Sequence, residues 1–194
     1  MTPTLRRLAT VSLATAAALT EIGSAQPAGA TWLDASQPVS WNKPGLAVPA
    51  AARLAESVDP RCRDLARPAE LEEDRLLREQ GWDLVGPYQG GWQIRVILAT
   101  AGYDGMCRPR QYQGFVFVHR MLAGTLSPNL MDSRTDGALD RVTFQGGTRL
   151  LAEYRRYARQ DPLCCPSRTT SVVFDFATGT AVLRPVSAST SSNK

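Results

Sequence analysis

The segment Trp92–Thr100 has the sequence WQIRVILAT, in which large apolar side chains recur at every second position. A period of two is typical of a β-strand. The turn-forming sequence YQGG at Tyr88–Gly91 comes directly before it, and Trp82–Val85 comes before that turn. We therefore predict that Trp82–Val85 and Trp92–Thr100 form an antiparallel hairpin.

The chain continues with further strand patterns that are separated by turn sequences. Arg149–Ala158 also fits one face of a helix, but the pair Gly146-Gly147 directly before it favours a strand. The other predicted strands, in chain order, are Phe115–Val118, Leu122–Leu126, Val142–Phe144, Arg149–Ala158, Val172–Phe176 and Ala181–Arg184.

The residues before the strands have helical patterns. Pro68 suits the first position of a helix, and the acidic residues that follow it, with arginines later, suit the helix dipole. This order predicts a helix over residues 68–80, and a shorter one is predicted over Ala50–Glu56. Helices followed by consecutive strands predict an α+β domain built on an antiparallel β-sheet, with one or two N-terminal helices and disulfide bracing.

The first thirty residues have the pattern of a secretory signal peptide. Arg6 and Arg7 form a positive region, Leu8–Leu19 is apolar but too short to span a bilayer, and Ala28–Ala30 provides a small-x-small cleavage site. We therefore expect an exported protein, periplasmic or secreted, with no transmembrane span after the signal is removed.

Composition divides the remaining chain into three parts. Trp32 and Trp41 are expected to anchor the first part against the core. The last part is rich in serine, which is typical of disorder. The predicted organisation is a signal peptide over 1–30, an extended Pro/Ser-rich arm over 31–57, the α+β domain over 58–185 and a disordered tail over 186–194.

The four cysteines are Cys62, Cys107, Cys164 and Cys165, and all follow the signal peptide. An even number in an exported protein predicts two disulfides. A bridge between the adjacent cysteines requires a strained eight-membered ring, so we expect Cys164 and Cys165 each to pair with Cys62 or Cys107, in an order that is left open. A zinc site is the alternative, but the C-x2-4-C spacing typical of such sites is missing, and no metal is predicted.

The chain is mildly basic, with a net charge of +4, and its positive residues are dispersed along the sequence. Nearly all the positive residues are arginines, with lysine only at Lys43 and Lys194, and they form no continuous basic run. Nucleic-acid binding requires a concentrated basic surface, so no nucleic-acid partner is expected.

Known catalytic and calcium-binding patterns are incomplete in this sequence. His119 is the only histidine, and Ser40–Lys43 satisfies S-x-x-K without the companion motifs of penicillin-binding enzymes. Asp132–Gly137 resembles the start of a calcium loop, but Arg134 and Thr143 stand where oxygen ligands are needed. We therefore predict no catalytic residue and no cofactor.

Charged residues cluster in the loops beside the cysteines. If disulfides draw these loops together, the charges form one ligand surface that attracts anions. The alternative is that they form internal salt bridges that hold the loops in place. The residues of this candidate surface are Asp104, Arg108, Arg110, Asp132, Arg134, Asp136, Arg155 and Arg159.

Three segments resemble the LppP/LprE lipoproteins, a bacterial family: Gly105–Pro109, Gly124–Gly137, and Tyr154–Tyr157 with the DPLCCPS sequence that follows at Asp161–Ser167. The likeness spans roughly residues 80–176. It implies an exported cell-envelope protein, and it brings no catalytic residues because the family has no established activity. A lipoprotein requires a cysteine at its cleavage site, and since the first cysteine is Cys62, no lipid anchor is expected.

These observations predict a non-enzymatic binding or structural domain whose partner is an envelope protein or a small ligand. One alternative is a cell-wall-directed hydrolase that uses Asp104, Asp132 or Asp136 as paired carboxylates. A thiol redox protein acting through Cys164 and Cys165 is a third possibility, although the C-x-x-C spacing is missing.

Overall fold

The computed structural model describes residues 31–54, 60–91, 93–176 and 180–193, so the predicted signal peptide lies outside the described residues. A 3-10 turn covers Trp32–Asp34. The helices are α1 (Pro60–Arg63) and α2 (Glu72–Glu79). The strands are β1 (Asp83–Gly90), β2 (Ile94–Thr100), β3 (Gly102–Tyr103), β4 (Pro109–Arg110), β5 (Gln113–Val118), β6 (Met121–Thr125), β7 (Ala138–Phe144), β8 (Leu150–Arg156), β9 (Arg168–Phe176) and β10 (Leu183–Ser192).

Sheet I contains four antiparallel strands in the order β1-β2-β5-β6. The predicted pairing of the first hairpin is confirmed, since Asp83 pairs with Thr100 and Gly90 with Arg95. The predicted turn at Tyr88–Gly91 is wrong over its first three residues, because β1 extends to Gly90. The β5–β6 hairpin turns at His119 and Arg120, whose φ angles are both positive (47° and 69°). Left-handed conformation at both central residues gives a turn whose twist matches that of the paired strands.

Sheet II is an antiparallel meander in the order β10-β9-β8-β7. The ambiguous segment is a strand, as predicted, and forms β8. The prediction of a disordered tail over 186–194 is wrong, because β10 pairs with β9 from Leu183 to Ser192. Its polar residues gain partners across the ladder, including a 2.7 Å hydroxyl contact between Thr190 and Thr170. Composition alone does not reveal such long-range pairing.

The two faces of sheet I pack against different layers. Val96 and Val116 face sheet II and belong to a core that also contains Tyr154 and Phe174. The residues beside them in β2 and β5 point the other way and form a second core with Leu77 of α2. The structure is mostly antiparallel sheet with helical segments, which is consistent with the predicted α+β class.

Helix α2 begins at Glu72, four residues later than the predicted start at Pro68. The carboxylate of Asp74, which is fully buried, accepts hydrogen bonds from the backbone N–H groups of Glu70 (3.1 Å) and Leu71 (3.0 Å). These contacts fold the preceding residues back onto the first turn, so the helix cannot extend through them. The short helix predicted over Ala50–Glu56 is absent from its described part, residues 50–54.

The arm, described over residues 31–54, packs along both sheets. Trp32 lies 4.9 Å from Trp41 and 5.2 Å from Tyr154, measured between ring centroids, so both tryptophans anchor the arm as predicted. Asn42 is buried and bonds to Thr125 in β6 in both directions (2.9 and 3.0 Å). Its amide occupies the space that a side chain at Gly124 would need, since a Cβ there would lie 2.2 Å from it.

The disulfides pair Cys62 with Cys107 and Cys164 with Cys165. The expectation that the adjacent cysteines each bridge to Cys62 or Cys107 is therefore wrong. Cys62 in α1 contacts the loop between β3 and β4, whereas the adjacent pair lies in the separate β8–β9 connection of sheet II. The first bridge thus joins α1 to the β3–β4 loop, and the second lies within a single loop.

Candidate functional site

Asp104 lies in the loop that joins β3 to β4. Its carboxylate accepts hydrogen bonds from the backbone N–H groups of Met106 (2.9 Å) and Arg108 (2.9 Å) and from the Arg108 guanidinium (2.6 Å). Burial alone would raise its pKa, but the Arg108 side chain and these N–H groups outweigh it and hold the pKa of Asp104 below its ordinary value. Asp104 and Arg108 therefore close their own loop.

Asp132 follows the same pattern beside β4. Its carboxylate accepts the backbone N–H of Gln111 at 2.8 Å, and the Arg110 guanidinium lies 3.9 Å away. The Thr135 hydroxyl donates to the carbonyl of Asp132 at 2.7 Å, which is a turn contact. Arg134 is exposed and has a positive φ of 61°. The 132–137 segment is thus a polar turn.

Arg156 is a buried charged residue that the sequence did not single out. It is only 2 % exposed, and its guanidinium donates to Asp136 (3.0 Å), Asp34 (2.7 Å) and the hydroxyl of Thr170 (3.1 Å). Burial alone would lower its pKa, but the bonds to Asp136 and Asp34 raise it above its ordinary value. Arg156 therefore clamps the arm, the β6–β7 connection and β9 together.

The remaining candidates do not join that cluster. Arg155 points away from Arg156 on the same strand and pairs with Asp140, and Arg159 is exposed. In the nearby loop, Asp161 accepts the N–H groups of Ala158 (2.7 Å) and Ser167 (2.8 Å), and these bonds lower its pKa. This loop carries the paired cysteines and is closed by its own hydrogen bonds.

The structure thus brings Asp104 together with Arg108, and Arg110 near Asp132, in adjoining loops. Asp136 and Arg155 take partners outside the candidate set. Within the described ranges, no three His, Cys, Asp or Glu side chains lie close enough together to hold a metal ion. The geometry is that of local ion pairs, which is the structural alternative considered for these residues.

An apolar groove of about 600 Å³ lies between the arm, α2 and the β5–β6 hairpin. Leu76, Met121 and Leu46 line it while remaining 39 %, 60 % and 37 % exposed. Arg120 is the one charged side chain among the described residues of the lining. The full lining is Pro44, Gly45, Leu46, Ala47, Val48, Leu76, Gln80, Phe117, Arg120, Met121, Leu122, Thr180, Ala181 and Val182.

This groove could not be predicted from the sequence, because its walls come from segments far apart in the chain. One local signal exists in α2, where Leu76 and Leu77 are adjacent and only one of them can face the core. Leu77 is fully buried in the second core, and Leu76 is left to line the groove.

Comparison with known proteins gives one match. No curated protein and no solved structure matches the chain. In the part of the chain that the structure describes, no helix is long and apolar enough to cross a membrane. The family model described as LppP/LprE lipoprotein matches residues 87–178, which confirms the predicted resemblance and, with the disulfides, indicates an envelope or extracytoplasmic location.

Proposed function

We propose that the protein is an exported, non-enzymatic binding domain of the cell envelope whose ligand is an anionic amphiphile. The groove holds an apolar chain of this ligand. The observation that carries the proposal is a concave apolar surface whose large side chains remain exposed, among them Leu76 and Met121. Sites for small molecules are typically concave, mostly apolar and about 300–1,000 Å³ in volume.

The free energy of burying hydrocarbon sets the length of chain that the groove can bind with useful affinity. Burying one methylene contributes about 0.8 kcal/mol, so ten methylenes contribute roughly 8 kcal/mol before the entropy lost on binding is subtracted. Micromolar affinity corresponds to about 8 kcal/mol net. A useful ligand therefore needs a chain of more than about ten carbons, which is the class found in membrane amphiphiles.

The charge at the mouth of the groove favours an anionic head group. Arg120 is 70 % exposed and pairs with Glu72 at 3.1 Å, and Glu72 is itself 58 % exposed. An exposed pair of this kind contributes little to stability, so a ligand can compete with Glu72 for the guanidinium at small cost. No carboxylate is present among the described residues that line the groove.

The carboxylates of the charged loops also support a binding function, because their contacts do not suit a hydrolase. A hydrolase with paired carboxylates needs two of them about 5–10 Å apart with freedom to exchange protons. Asp104 and Asp132 are engaged by backbone N–H groups, and Asp136 by Arg156. These contacts favour a structural role for the three residues, and hence a binding function for the protein.

The test is titration of the purified protein with a fluorescent long-chain fatty acid. We expect saturable binding, and we expect Met121→Glu to weaken it by about tenfold or more, since a carboxylate at the mouth repels the head group. Met106→Glu is the matched control, because Met106 is also well exposed (69 %, against 60 % for Met121) but lies in the charged loops. It should leave the affinity unchanged.

Three outcomes would overturn the proposal. The first is absence of saturable binding by the unaltered protein. The second is equal affinity of the two glutamate variants. The third is a dimer in solution that Met121→Glu dissociates while the fatty acid fails to bind, because a second copy of the chain would then be the occupant of the groove.

A further inference from the structure

A second cavity lies next to the groove. Residues 43–50 of the arm, which we call the strap, run between the two cavities. We infer that the ligand is an amphiphile with two apolar chains, one in the groove and one in the second cavity. This inference rests on the proposed function and specifies its ligand. The two cavities share Leu46, Ala47 and Leu122, so the strap and one residue of β6 form the wall between them.

The strap is fixed at both ends. Before it, the Trp41 indole N–H donates to the carbonyl of Thr125 at 3.1 Å. At its far end, the Trp82 indole N–H donates to the carbonyl of Pro49 at 2.7 Å, and the Ala51 N–H donates to Gln80 at 2.8 Å. These anchors hold the strap over the outer face of sheet I.

The middle of the strap has space around it. Residues 43–47 are all exposed, and a Cβ added to Gly45 would meet no atom within 4 Å. Gly45 has a positive φ of 71° and forms a turn with Pro44 directly before Leu46, the first strap residue that both cavities share. Two chains can therefore lie on either side of Leu46 and Ala47 without displacing the anchored ends.

The second cavity has a volume of about 390 Å³ and suits hydrocarbon better than a polar group. The polar groups in its wall are already bonded within the protein. Examples are Trp82 with Pro49, Asn42 with Thr125, and the Gln113 amide, which donates to the carbonyl of Ser127 at 2.9 Å. Groups satisfied in this way present mainly their apolar faces to a ligand.

The distribution of charge decides between two single-chain ligands and one two-chain ligand. The groove has one cation at its mouth, Arg120, and the second cavity has no charged side chain among its described lining residues. Two separate amphiphiles would bring two head groups, and the described lining of the second cavity offers no cation to the second one. One head group carrying two chains matches one cation and two apolar cavities.

The experiment is displacement of the fluorescent fatty acid by phosphatidic acid with two chains of about twelve carbons, and by lysophosphatidic acid with one chain of the same length. We expect the two-chain lipid to compete about tenfold or more better than the one-chain lipid. Ala50 lines the second cavity only, so Ala50→Trp narrows it while leaving the groove intact. This variant should remove the two-chain advantage and leave the one-chain affinity unchanged.

Ala50 is exposed, so the substitution should not disturb folding, which the thermal midpoint checks. Leu130→Trp, on another wall of the same cavity, provides an independent second variant. Equal competition by the two lipids would overturn the inference and leave the proposed function standing, and so would an Ala50→Trp variant that weakens both lipids alike. Absence of binding by either lipid or the fatty acid would overturn both.

Discussion

The charged loops around Asp104, Asp132 and Asp161 and the apolar groove beside α2 differ in how completely their own groups are satisfied. In the loops, each carboxylate accepts two or more hydrogen bonds from the chain, so a ligand would have to replace bonds that already exist. In the groove, Leu76 and Met121 remain exposed to water. Covering them with an apolar chain lowers the free energy of the system, because apolar surface is removed from water. The charged groups are engaged within the molecule, whereas the apolar surface of the groove is free to contact another molecule.

This comparison predicts that changes in the charged loops lower stability without affecting the groove. The largest effect is expected for Cys62→Ser combined with Cys107→Ser, because this bridge joins residues 45 apart in sequence. Its loss should lower the free energy of unfolding by about 4 kcal/mol through the entropy gained by the unfolded chain. Urea unfolding measures the loss, and fatty-acid titration should show unchanged affinity in the folded protein.

The matched control replaces Cys164 and Cys165 together with serine. These cysteines are adjacent, so their bridge restricts the unfolded chain little, and the loss should be about 1 kcal/mol or less. Equal losses in the two double variants would contradict the assignment of one bridge as a long-range brace and the other as a local loop feature.

The next effect concerns the buried clamp. Arg156→Met should lower the free energy of unfolding by about 3 kcal/mol, because Asp136, Asp34 and Thr170 lose their shared partner. Arg155→Met is the control on the same strand. Its guanidinium is 41 % exposed and its pair with Asp140 lies at the surface, so the loss should stay below about 1 kcal/mol. If both variants lose the same amount of stability, the buried contacts of Arg156 contribute no more than the surface pair of Arg155.

The smallest effect is expected in α2, where a charged contact fixes the helix that lines the groove. Burial of Asp74 opposes its ionisation, but Arg67 and two backbone N–H groups outweigh it and hold its pKa below the ordinary value of 3.8. The ionised form therefore stabilises the fold at pH values above about 4, and this stabilisation is lost as the pH falls through the lower, folded pKa. Asp74→Asn should lower stability by about 2 kcal/mol at pH 7.

The pH series tests the sign. Below pH 4 the unaltered protein should lose stability faster than Asp74→Asn, so the two unfolding curves should converge in acid. A constant difference across the whole range would mean that ionisation of Asp74 does not stabilise the helix. Fatty-acid affinity measured at the same pH values shows whether loosening α2 also opens the groove.

The strands could be predicted from the sequence because their evidence is local. The period of two at Trp92–Thr100 and the Gly146-Gly147 turn depend only on neighbouring residues, and β2 and β8 follow from them. The start of α2 could not be predicted, since it depends on where the Asp74 carboxylate finds its donors. The prediction of a disordered tail failed for a related reason, because β10 is ordered by pairing with a neighbouring strand and not by its own composition.

The candidate site was also predictable only where the evidence is local. The sequence identified Asp104, Asp132 and Asp136 as charged loop residues, but it does not say which carboxylates already have partners. Arg156 was missed because nothing in its local sequence distinguishes a buried arginine from the exposed Arg155. The groove requires the arm, α2 and the β5–β6 hairpin to meet, and this arrangement exists only after folding.

The pairing of β10 has a practical consequence for anyone who prepares the protein. A serine-rich end invites trimming before crystallisation, yet here it forms the outer strand of sheet II. Trimmed material would present the backbone of β9 as a bare edge, which is a template for other chains to add to, and the shortened protein would tend to aggregate. An affinity tag at that end should be separated from Ser192 by a flexible spacer.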